Sequence, residues 1–123
     1  MTIIEQLLII KNELRLINEK LFSLCQDIYP DIYIGCTLGI SIQQLKNLSK
    51  TYADAVGNIN YKITLPIHHT MQVIIDELTN VCEKKGQKSW YGLCIGITSV
   101  KISQCIIALN DMIVDLELQN NSQ

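Results

Sequence analysis

The sequence predicts an all-α protein, a four-helix bundle built from two similar helical hairpins with an approximate internal twofold. Three observations predict it. Apolar residues recur at alternating spacings of three and four, the chain holds only two prolines in 123 residues, and its second half repeats the first at an offset of 57 positions. A chain of this length suits a single domain, here residues 1–123, with one core that needs no staples.

The first segment places Ile3, Leu7, Ile10, Leu14, Ile17, Leu21, Leu24 and Ile28 on one heptad stripe. Glu5, Lys11, Glu13, Arg15, Glu19 and Lys20 fall between them, so a helix over about 3–28 has one wet and one dry face. Pro30 ends it, because proline disfavours a helical Tyr29 and has no amide to donate. A second helix, over about 31–58, carries Leu38, Ile42, Leu45, Tyr52 and Val56 at helical spacing, with Asp31 as its expected N-cap. Gly57, Asn58 and Asn60 supply turn chemistry between the halves.

In the third segment Ile67, Met71, Ile74, Leu78 and Val81 share a face and Gly86 is placed to close the helix. Pro66 puts the helix start, with His68 and His69, in a first turn facing solvent. The fourth, over about 89–118 with Ser89 as cap, carries Ile95, Ile102, Ile106, Leu109, Ile113 and Leu116, and residues 119–123 read as a frayed tail. Slid by 57 positions, Leu8 falls on Leu65, Ile10 on Ile67, Ile17 on Ile74, Leu21 on Leu78, Cys25 on Cys82, Gly35 on Gly92, Gly39 on Gly96 and Asp54 on Asp111. Hairpins over about 3–58 and 65–118 cannot bury their stripes alone; closed on each other they form the bundle.

Four of the six glycines occupy one repeated motif, GCTLGIS at Gly35 to Ser41 and GLCIGIT at Gly92 to Thr98. Glycines four apart share a helix face, so Gly35, Gly39, Gly92 and Gly96 predict a close crossing of the second and fourth helices. The same residues also resemble the core of a DNA-binding helix-turn-helix, with Gly39 or Gly96 at the turn, over segments 35–50 and 92–107. That resemblance implies Ile42, Gln43, Gln44, Lys46 and Lys50 facing a groove. The second copy departs from it with Cys105, Ile106 and Ile107, and a chain whose single arginine is Arg15 offers no basic face, so nucleic acid is disfavoured.

Ten basic against twelve acidic residues leave a net charge of −2, no field that selects a partner by itself. Lys11, Glu13, Arg15, Lys101 and Asp111 interrupt the apolar runs, so no membrane span is expected, and Glu5 falls where a signal peptide needs a basic region. Five cysteines at irregular spacings read as free thiols, and with the leader absent they point to the cytoplasm. No phosphate-binding lysine follows the glycines, no nucleophile lies in a recognised setting, and no carboxylate sits at a metal-motif spacing from His68 and His69; catalysis, cofactor and metal are not expected.

The distinctive chemistry lies at the hairpin tips, YPDIY and KSWYG, which hold three of the five tyrosines and the only tryptophan. Aromatics staple the end of a bundle or anchor an interface. Tyr29, Asp31, Tyr33, Lys88, Trp90 and Tyr91 are therefore the candidate partner-binding set. The expected function is a small cytosolic interaction protein that binds and occludes a protein partner, in the manner of an immunity protein, antitoxin, inhibitor, effector chaperone or phage-type regulator. A DNA-binding regulator and a small-molecule sensor with its ligand between the repeats are the alternatives. Low net charge with a high apolar share also predicts a homodimer.

Overall fold

Short-range hydrogen bonds set the helix ends. Thr2 caps α1 (Ile3–Leu24): its hydroxyl accepts from the backbone N–H of Glu5 at 3.1 Å. Asn60 opens α3 (Tyr61–Glu83), its carbonyl accepting from Ile63 and Thr64 at 3.0 and 3.3 Å and its side chain from the Lys62 N–H at 3.0 Å. This cap corrects the expected start at Pro66, which lies inside the helix and places His68 and His69 beyond the first turn. α2 spans Asp31–Ala55 and α4 Lys88–Asn121, so Ser89 is a helical residue and not a cap. The computed structural model describes residues 1–25, 31–83 and 88–121, with backbone alone for Asp31 and residues 88–93. Ile28, Pro30 and Gly86 lie outside the described residues.

The heptad stripes decide the packing. Leu7, Ile10, Leu14, Ile17, Leu21 and Leu24 of α1 are buried, and so are the residues 57 positions on in α3: Thr64, Ile67, Met71, Ile74, Leu78 and Val81. Leu38, Ser41, Leu45, Leu48 and Tyr52 of α2, with Val56 just after it, match Ile95, Thr98, Ile102, Cys105, Leu109 and Ile113 of α4, again all buried. Each helix packs on its two neighbours in chain order, α4 returning to α1, which gives a four-helix bundle of two like hairpins with an approximate internal twofold.

In this arrangement α2 and α4 are diagonal to each other, and their backbones do not approach closely among the described residues. The expected glycine-faced crossing is therefore corrected. Gly35 and Gly39 each sit one residue past a core position, Ile34 and Leu38, and that 100° step turns them away from the core. A β-carbon built on Gly35, Gly39 or Gly96 meets nothing within 4 Å. The surroundings of Gly92 lie outside the described residues. The helix-turn-helix resemblance is corrected by the same elements, because α2 and α4 run unbroken through Gly39 and Gly96 and leave no turn.

One expectation about membranes also changes. Cys94–Asn121 is, by length and composition, apolar enough to cross a bilayer, although part of it is buried inside the bundle. Lys101 and Asp111 interrupt its apolar runs, yet a span-length average absorbs them.

Candidate functional site

Among the described residues, three of the four seams between neighbouring helices show polar clasps. Between α1 and α4, Asn18 accepts from the Ser99 hydroxyl at 2.6 Å and donates to Ser103 at 3.0 Å, and Lys11 donates to Asn110 at 3.3 Å. Between α3 and α4, Glu77 pairs with Lys101 and accepts from Thr98 at 3.4 Å. Between α2 and α3, Gln72 donates to Ser49 at 2.9 Å, the Ser49 hydroxyl lies 3.5 Å from His68 Nδ1, and Tyr52 donates to the Thr64 carbonyl at 2.9 Å.

The seam between α1 and α2 differs. Thr37, Ser41 and Gln44 recur at spacings of four and three along one flank of α2, and the Ser41 hydroxyl and Gln44 Oε1 are buried without a hydrogen-bond partner. An unmet buried polar group costs about 1–3 kcal/mol, so these two atoms are the costliest polar placements on this flank. Ser41 lines a cleft of about 170 Å³ with Lys20, Ser23, Tyr33, Thr37 and Ile40. The Ser41 hydroxyl and the Lys20 ammonium offer donors, and no carboxylate lines the cleft among the described residues. Tyr33 and Ile40, at 49% and 58% exposure, set an apolar rim on the α2 side of it.

No family model, curated protein or solved structure matches the chain. The site is therefore argued from its own residues.

Of the predicted partner-binding set, Tyr33 is brought to the rim of this cleft. Tyr29 lies outside the described residues. The backbone of Asp31 opens α2 and that of Lys88, Trp90 and Tyr91 opens α4, while their side chains lie outside the described residues. Lys20, Ile40 and Ser41 were not predicted. Ser41 was open to discovery, since it falls on the core register of Ile34, Leu38 and Leu45, where a polar side chain needs a reason.

Two further features belong to the inventory. A cleft of about 250 Å³ between the repeats, at the α2–α3 connection, is lined by Tyr52, Val56, Ile59, Tyr61, Leu65 and His68 among others. The outer face of α4 is apolar where a surface helix is ordinarily polar: Ile97, Val100, Ile107, Val114 and Leu118 are each 43–62% exposed. None of the five cysteines is in a disulfide; Cys36 is exposed and Cys105 buried. Burial pushes the thiols of Cys25 and Cys82 up, with the nearby Glu83 carboxylate adding to the shift at Cys82.

Proposed function

We propose that this protein is a helical interaction module that binds a partner protein through the α1–α2 cleft and occludes the segment it takes in. One observation carries the reading: an apolar rim of Tyr33 and Ile40 at a cleft whose buried Ser41 hydroxyl lacks a partner. The occupant is an acidic side chain flanked by apolar residues. Its carboxylate takes the Lys20 ammonium and the Ser41 hydroxyl, and its neighbours cover the rim. Rim aromatics and aliphatics of this kind supply most of the affinity of an interface.

Capture from native lysate with the wild-type chain and with Ile40→Arg and Lys20→Glu tests it. Both substitutions sit at exposed positions and leave the core alone. A protein held by the wild type and lost from both variants is the expected result; the same proteins on all three baits would overturn the reading. The cleft between the repeats favours a second reading, a small aromatic or apolar ligand contacting Tyr61 and His68, which a Tyr61→Ala variant separates because it leaves the α1–α2 cleft intact.

A further inference from the structure

We infer that the outer face of α4 is the interface of a homodimer in which a second copy packs its α4 antiparallel on the first, about a twofold axis beside Ile107. The face is a stripe of seven exposed residues, Ile97, Val100, Gln104, Ile107, Asp111, Val114 and Leu118, pointing away from the core face of Ile95, Ile102, Leu109 and Ile113. Their spacings of three and four are those of a helix-packing seam, and at 1.5 Å per residue the stripe is about 32 Å long. α4 thus carries two apolar faces, one used inside the bundle and one left uncovered.

The order of residues within the stripe identifies the occupant. A twofold interface must be self-complementary: where residue i meets residue j, j meets i. Read outward from Ile107 in both directions, the stripe is the same in kind. An antiparallel copy sets Ile107 on itself, Val100 on Val114, Ile97 on Leu118 and Gln104 on Asp111, each matched to within one residue. Apolar side chains meet apolar ones, and the amide donors of Gln104 meet the Asp111 carboxylate twice, once on each side of the axis. A parallel copy would instead stack Asp111 on Asp111 inside an apolar seam. A bilayer fits worse, since Asp111 and Gln104 sit within the central part of the stripe, where lipid offers no partner. The α1–α2 cleft lies on other helices, so dimerisation and partner capture stand or fall separately.

Sedimentation equilibrium of the full chain at high micromolar concentration tests this, with circular dichroism as the control for folding. The wild type is expected to be a dimer, and Ile107→Lys, which desolvates a charge on the axis, should weaken it at least about a hundredfold with the helical spectrum unchanged. Gln104→Lys sets the sign of the packing. Opposite Asp111 of an antiparallel copy it should tighten the dimer about threefold to tenfold at low salt, and lose that gain at high salt. In a parallel pair it would meet itself and loosen the dimer. A monomeric wild type, a monomer that floats with phosphatidylcholine–phosphatidylglycerol vesicles, a dimer indifferent to Ile107→Lys, or a dimer loosened by Gln104→Lys would each overturn the inference.

Discussion

Cys105 faces the interior of the bundle with 2% of its surface exposed, and burial pushes its thiol from 9.0 up to about 11. The folded chain keeps this proton over a range in which the unfolded chain gives it up. The stabilisation is therefore complete below pH 9 and is lost as pH rises from about 9 toward 11, amounting to about 3 kcal/mol at most. Burial raises the Tyr52 phenol as well, and ionisation of Cys105 would raise it further, so the two groups act in the same direction. Thermal melts should show the midpoint falling across this range and falling less steeply in Cys105→Ala, whatever that variant costs at neutral pH. Parallel slopes for the two chains would show that the thiol is not held in the core. Residues of this kind are legible in a sequence, because a cysteine on an apolar stripe has one obvious place to go. Ser41 was not so legible: helical spacing places it on the core face of α2, but whether its hydroxyl finds a partner depends on the neighbouring helix.

The helices were legible where a stripe had one face to fill. α1 follows its heptads from Ile3 to Leu24, and the buried face of α3 is the one its Ile, Met and Leu spacing marked. The start of α3 was misread because Pro66 is a strong local signal for a first turn, while the Asn60 cap outweighs it through three backbone donors. In α4 the stripe of Ile95, Ile102, Leu109 and Ile113 is likewise the buried one, but spacing did not mark the second apolar face opposite it. The glycines of α2 misled for a similar reason, since a helix interior glycine signals close approach only when a neighbour lies on its side. Gly35 and Gly39 have open space there, so they weaken α2 without return. Gly39→Ala should raise stability by about 0.5–1 kcal/mol, and Gly39→Leu should cost nothing, as measured by urea unfolding. A loss with alanine would mean that an unseen neighbour fills the space.

At the scale of the whole molecule the repeat was the most informative feature, because a buried position in one hairpin names the buried position 57 residues away in the other. It gave the class, but not the order of packing, since the repeated glycines suggested a crossing of α2 and α4 that the bundle does not make. The site was less legible, because the cleft arises from how α1 and α2 are set against each other, and the tips that drew attention by composition contribute Tyr33 to it. The clasps between α1 and α4 carry a further consequence. Lys11 meets Asn110 and Asn18 meets Ser103, a constant antiparallel register that brings Ile3 level with Leu118. The start of α1 and the end of α4 are then neighbours in space, and the bundle closes into a ring of four helices whose covalent opening is arbitrary. A circular permutant joining Asn121 to Thr2 through about six Gly/Ser residues, and opened in the exposed turn between Gly57 and Asn58, should keep the helical spectrum and a cooperative melt. A permutant that loses its cooperative transition would show that the α1–α4 register is wrong.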